Sequence, residues 1–166
     1  MKSTFQVILA LALISLLAAC GFQPAGKVNL DSKFASTHIY TLSNATVMVD
    51  LIERQFQEND FLLVDQAEAM IVINVLNEKT RKRILSVDSD GKARMYELEL
   101  TVSIAIKDAA GESLLPNQEI QVSREFLFDV NSVLGKSNEE QAIYTEMQND
   151  AARLIMNRLQ AFSSTD

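Results

Sequence analysis

Between Tyr96 and Ile106 every second residue is apolar: Tyr96, Leu98, Leu100, Val102, Ile104 and Ile106 alternate with Glu97, Glu99, Thr101, Ser103 and Ala105, and Lys107 follows. Successive strand side chains point to opposite faces, so this pattern predicts a strand with one buried and one wet face. Such a sheet is covered on one side only. Asp90-Gly91, just upstream, is a tight-turn dipeptide. Ahead of it the chain is apolar from Met70 to Leu76, polar from Asn77 to Arg83, and apolar again over Ile84-Leu85-Ser86-Val87. Each arm of the implied hairpin runs about 15 residues, or roughly 50 Å at 3.3 Å per residue. Strands usually run only about 5–6 residues, so the far end is expected to outreach a small helical layer. Asp108 to Asn117, with Gly111 and Pro116, reads as the next turn. Ile120 to Phe128 reads as a further strand, with Ile120, Val122, Phe126 and Phe128 on one face.

Two segments carry helical periodicity. Met48, Ile52 and Phe56 recur at i, i+4 and i+8, with Asp50, Glu53, Arg54, Gln57 and Glu58 opposite. Ser43 and Asn44 are candidate N-caps for that helix, which should end near Asn59-Asp60. A short strand within Phe34–Leu42 precedes it, and the apolar run Phe61–Val64 after it reads as a brief strand. Asp129 to Lys136 reads as a loop. Ser137-Asn138-Glu139-Glu140 then fits a capping box, and Ile143, Met147, Leu154, Ile155, Leu159 and Phe162 mark the buried face of a second helix. The expected fold is α+β: a two-layer sandwich with two helices packed on one face of a mainly antiparallel four-stranded sheet with a long β-hairpin.

The N-terminus reads as an address. Lys2 is followed by an apolar run from Val7 to Leu17, broken only by Ser15. That is too short to span a bilayer, which takes about 20 apolar residues, and it suits the core of a secretory signal. It ends in Leu17-Ala18-Ala19-Cys20, which resembles a bacterial lipobox. Cys20 is the single cysteine of the chain and stands where lipid attachment needs it. An unpaired exposed thiol in an oxidising compartment would be a liability that lipidation removes. Gly21, where an aspartate commonly retains a lipoprotein at the inner membrane, resembles the outer-membrane-sorted type. The expected organisation is a signal peptide over 1–19, a lipid-anchored tether over 20–33 and one domain over 34–166.

Little in the chain supports catalysis. There is one histidine, His38, in a strand-like segment, and no nucleophile with a base at motif spacing. No phosphate-binding glycine loop, dinucleotide fingerprint or zinc spacing occurs. The chain is therefore read as no enzyme, with no metal and no cofactor beyond a covalent lipid on Cys20. Lys+Arg number 15 against Asp+Glu 22, a formal charge of −7, which argues against nucleic acid as a partner. Two basic features could still meet phosphate groups. One is Lys79, Arg81, Lys82 and Arg83 on the first hairpin arm, with Lys92 and Arg94 just past its turn. A two-residue turn at Asp90-Gly91 would set Lys82 opposite Glu99, so a simple cross-strand pair competes with a cationic strip there. The other is Lys136, beside the start of the second helix, where free backbone donors and the dipole favour anions. A solvated loop lysine is the alternative.

These pieces occur together in an order that resembles a known family. A Cys20-Gly21-Phe22 start is followed by Tyr96-Glu97-Leu98-Glu99-Leu100-Thr101-Val102 after an Asp-Gly turn. Val122-Ser123-Arg124-Glu125-Phe126-Leu127-Phe128-Asp129, Val133-Leu134-Gly135-Lys136 and Glu139-Glu140-Gln141 come next, then Met147, Asp150-Ala151-Ala152 and Leu159. The chain resembles the LPS-assembly lipoproteins of the LptE (RlpB) family over nearly all of its mature length. It departs from them at Pro24-Ala25, where Leu-Arg often follows the Cys-Gly-aromatic start. The resemblance implies an outer-membrane lipoprotein facing the periplasm, which plugs and helps assemble the LptD barrel in a 1:1 complex. It further implies a part in delivering lipopolysaccharide to the outer leaflet. Lys136 matches a basic position of the family associated with lipopolysaccharide, whereas the second such position falls near Ser89, with Lys92 and Arg94 as neighbours. A lipoprotein that scaffolds another envelope machine is the alternative.

Overall fold

The computed structural model describes Val28, residues 30–127 and residues 133–164, with side chains omitted over 133–137. The order is β1 (Ser36–Thr41), α1 (Thr46–Glu58), β2 (Leu62–Leu63), β3 (Ile71–Val87), β4 (Ala93–Asp108), β5 (Ser113–Leu127) and α2 (Val133–Ser163). The strands form one sheet in the order β2-β1-β3-β4-β5. It has five strands, where four were expected, and it is mixed. β1 is parallel to both β2 and β3, while β3–β4 and β4–β5 are antiparallel. α1 carries the chain back past β1 before β2 begins, and a parallel neighbour requires such a crossover. β2 pairs through only two residues, so its sequence has no room for alternation.

The alternation over β4 holds along most of the strand. Tyr96 is only half-buried and Ser103, expected on the wet face, is buried as well, while Leu98, Leu100, Val102, Ile104 and Ile106 are all 0% exposed. Each of these last contributes about 1.5–3 kcal/mol through its burial. They pack under α1 and α2, with Met48, Ile52 and Phe56 from α1 and Met147, Ile155, Met156 and Leu159 from α2. α1 starts at Thr46 behind Ala45, which makes no side-chain cap. The expected cap Ser43 instead stands two residues early and accepts the Ala45 amide, at 3.3 Å. The other end falls where expected. Asp60 is left-handed at φ 65°, Asp60 N–H reaches Gln57 O and Phe61 N–H reaches Phe56 O at 3.0 Å. This is a Schellman closure, and the Phe61 ring seals it against Phe56 at 5.6 Å.

α2 differs from expectation at its start. It begins at Val133, so Asp129–Lys136 is not wholly loop and Ser137–Glu140 lies inside the helix. A capping-box pattern is only a local preference, and helix extends past it when the preceding residues can propagate the turn. Leu154 is also half exposed, while Met156 takes the buried place. The segment before β1 is packed: Leu30 is buried, Val28 N–H donates to Asn59 Oδ1 at 2.9 Å, and Asp31 N–H to Ser163 Oγ at 2.6 Å. Residues read from composition as tether thus include part of the body.

Both hairpins close with one device. Asp88 N–H bonds Lys92 O at 2.8 Å and Gly91 N–H bonds Asp88 O at 3.1 Å, with Gly91 at φ 78°. Asp108, Gly111 and Glu112 repeat this, at 3.0 Å and 3.0 Å with Gly111 at φ 82°. Each is a three-residue loop ending on a left-handed glycine. The Asp-x-x-Gly spacing supplies it, since the aspartate side chain accepts amides across the loop. β5 therefore begins at Ser113, directly after its turn, and Pro116 and Asn117 lie within the strand opposite Ala105 alone. Pro116 is accommodated because this is a bulge on an edge strand.

Candidate interaction surface

The three-residue loop shifts the hairpin register from the one a two-residue turn would give. Arg81 faces Glu99, Arg83 faces Glu97 and Lys82 faces Leu98. The Lys82–Glu99 pair is therefore not formed, because a one-residue slip moves a side chain to the other face of the sheet. Arg83 pairs with Glu97 across the strands. That contact holds the Glu97 carboxyl below its ordinary range and raises the Arg83 guanidinium.

A bulge at Leu76 decides which face each remaining cation takes. Before it Ile71, Ile73 and Val75 are buried under the helices; after it Glu78, Thr80, Lys82 and Ile84 share the side of Val102, Leu100, Leu98 and Tyr96. β3 thus turns a polar row toward α2, and α2 answers in kind. Gln148 Nε2 donates to Glu78 Oε1 at 2.7 Å, and Lys82 Nζ meets Glu140 Oε2 at 2.5 Å. The Lys82 ammonium also lies 4.4 Å from the Tyr96 ring centroid and 5.8 Å from that of Phe126, a cation–π arrangement. Lys82 belongs to the helix–sheet contact and not to an outer cationic strip. The outer face carries Lys79, Arg81 and Arg83 beside Glu97, Glu99, Glu119 and Glu125, so it is polar and mixed in sign.

Sequence reasoning missed one further polar contact on the inner side. Arg124 of β5 and Arg153 of α2 both pair with Asp150. The signal was present: Arg124 has the parity of Val122 and Phe126, so it had to point toward the helices.

The same two β3–α2 contacts orient α2, since moving from Gln148 back to Glu140 follows β3 from Glu78 out to Lys82. The first turn of α2, with the backbone of Lys136, therefore lies on the tip side of Lys82. From Glu140 back to Val133 seven helical residues cover about 10 Å, whereas Lys82 to Asp88 spans roughly 20 Å of strand. The hairpin tip thus projects beyond the described start of α2. Lys92 and Arg94 stand exposed at that tip. Exposed apolar residues accompany them: Ile84, Leu85 and Val87 on β3 and Leu127 on β5. Cys20 lies outside the described residues.

Asp88 organises the tip. Its carboxylate accepts from the amides of Asp90 and Lys92, each at 2.9 Å. These bonds, the Lys92 amide first, hold its pKa below the ordinary aspartate value. A depressed carboxyl stabilises the fold above its unfolded pKa, and that contribution is lost as pH falls through the folded value. The tip amides are therefore expected to lose exchange protection in acid before those of β4 do. Asp88→Ala should reproduce that loss at neutral pH. Gly91→Ala should cost about 1–2 kcal/mol through its left-handed backbone, with nothing within 4 Å to clash. Tip protection that ignores both substitutions would contradict this account.

No catalytic constellation accompanies these surfaces among the described residues. His38 places Nδ1 3.1 Å from Val64 O and stacks on Tyr40 at 5.9 Å, which accounts for it structurally. No group of metal-ligating side chains occurs among the described residues, and no described helix is long and apolar enough to cross a membrane.

Known proteins share both the fold and the sequence pattern. The profile of the LptE family, described as lipopolysaccharide-assembly, matches residues 27–159. An LPS-assembly lipoprotein LptE of Pectobacterium atrosepticum is 24% identical over 157 residues, spanning 93% of this chain and 84% of that protein. The corresponding protein of Photorhabdus laumondii is 25% identical over 154 residues, 92% and 83% of the two chains. Among solved structures, a lipoprotein B of Nitrosomonas europaea superposes with TM-score 0.73 at 32% identity, covering 87% of this chain and 94% of its own. The rare lipoprotein B of Shewanella oneidensis gives 0.68 at 22% identity, over 76% and 94%, and supports the fold. With a profile match running from the packed N-terminal arm to the last turns of α2, this chain belongs to the LptE family of lipopolysaccharide-assembly proteins.

Proposed function

We propose that the protein is an outer-membrane lipoprotein of lipopolysaccharide assembly, anchored through lipid on Cys20 and seated in the lumen of the LptD barrel as plug and assembly partner. The family match over residues 27–159 carries this reading. Physical features agree with it. The outer face of the sheet is polar and mixed in charge, which suits the water-filled interior of a large barrel. The other face is closed by two helices, giving a rigid body able to fill space. In this reading Lys136, with Lys92 and Arg94, meets the phosphate groups of lipopolysaccharide. A lysine in the first turn of a helix lies against the positive end of its dipole, at a cost a bound anion relieves.

Affinity capture of the tagged, lipidated protein from detergent-solubilised outer membranes tests the reading. A stoichiometric large barrel is expected. A lone lipoprotein, under conditions where barrel complexes survive, would favour a scaffold for another envelope machine. For the ligand, Lys136→Glu should weaken lipopolysaccharide binding about tenfold, or 1.4 kcal/mol, with an unchanged circular dichroism spectrum. Unchanged affinity of the folded variant would remove Lys136 from the site.

A further inference from the structure

β5 forms one border of the sheet, and among the described residues its only strand neighbour is β4. It is 15 residues long, whereas exposed edges are usually kept short or covered. Its first part is closed to pairing by Pro116 and the bulge there. The Gln118 side-chain amide donates to the carbonyls of Pro116 and Asn117, at 3.4 and 3.2 Å. From Gln118 to Glu125 the pairing to β4 runs without a register shift, so no bulge interrupts the opposite edge there. Within that stretch Ser123 O accepts from the Arg124 side chain at 3.0 Å, and the same guanidinium pairs with Asp150 of α2.

Two adjoining open grooves of about 380 and 490 Å³ run along this border between β5 and α2, sharing Gln121, Leu154 and Asn157. Leu154, the α2 residue expected in the core, is 44% exposed in their wall, beside Arg124, Asp150, Arg153 and Arg158. On the other side of the strand Glu119 and Glu125 are exposed and make no ion pair among the described residues. Glu125 stands opposite Glu97, which Arg83 already engages.

We propose that the edge of β5 from Gln118 to Glu125 and the groove beside α2 accept an extended polypeptide segment as an added strand, one that alternates cationic with apolar side chains. Backbone pairing would supply affinity, and alternate side-chain positions specificity. Cationic positions face Glu119 and Glu125, while apolar positions turn into the groove against Leu154. A second copy of this chain fits poorly. An antiparallel β5–β5 pairing centred on Val122, or on either glutamate, sets carboxylate against carboxylate. The inference is independent of whether the body sits in a barrel.

The test uses the mature, full-length chain in detergent with the peptide acetyl-Lys-Val-Thr-Val-Thr-Val-Lys-amide, whose lysines match the Glu119–Glu125 separation. Amide exchange is followed residue by residue, with the Glu-for-Lys version of the peptide as control. Slowing of the β5 amides between Glu119 and Glu125 by about tenfold, with the lysine peptide only, is expected. The Glu119→Lys, Glu125→Lys double variant should reverse the preference between the two peptides, and unaltered β4 exchange would show that it is folded. Unchanged β5 exchange, protection elsewhere, or equal binding by the double variant would overturn the proposal.

Discussion

Replacing Phe34 by alanine is expected to destabilise the protein by about 3–5 kcal/mol, the range for truncating a buried aromatic. Phe34 is 0% exposed although it lies ahead of the first strand, in a single 3-10 turn over Ser32–Ala35. Its ring meets Phe162 edge-on at 6.5 Å, and the Lys33 ammonium lies 4.7 Å from the Phe162 centroid. The Asp31 side chain caps the turn by accepting the Lys33 amide at 2.9 Å, and its own amide is held by Ser163. One aromatic contact thus ties the N-terminal arm to the last turns of α2. Truncation leaves a cavity that the short turn cannot collapse to fill. Urea unfolding should show a lower midpoint with an unchanged slope. Leu42→Ala, at a residue 87% exposed, should stay within about 0.5 kcal/mol. A loss below about 1 kcal/mol at Phe34 would mean that the arm is not part of the cooperative unit.

The second large effect is expected at Cys20. Each buried methylene of an acyl chain contributes about 0.8 kcal/mol, and one chain alone holds a protein only marginally, so stable anchoring takes several. Cys20→Ser removes the thiol that would carry them. Incorporation of labelled palmitate should fall to background, and the protein should disappear from the outer-membrane fraction. Palmitate labelling that survives the substitution would place the lipid elsewhere or show that Cys20 is only the end of an ordinary secretory signal.

How far each feature was legible follows from the range of the forces behind it. The inner row of β4 is local: period-two alternation decides it, and all five residues from Leu98 to Ile106 are buried. The close of α1 is equally local, since Asn59, Asp60 and Phe61 supply cap, left-handed turn and seal. Asp-x-x-Gly encodes both hairpin turns, a longer signal than the Asp-Gly dipeptide that marks the first of them. The start of α2 at Val133 is not legible from Ser137–Glu140, because a capping preference is small beside the cooperativity of a long helix.

Local residue pattern alone specifies the half-wet long hairpin and the two amphipathic helices, and it contains no recognisable catalytic motif. It also carried the family resemblance. Tertiary structure alone decided the rest. A single extra residue at Leu76 reverses the face of β3 from Asn77 to Ile84, and the turn length sets which charges meet. So Lys82 lies under α2 with Glu140 while Arg83 stays outside with Glu97. The parallel place of β1 depends on where α1 lets the chain return, a contact between distant segments that no local pattern records.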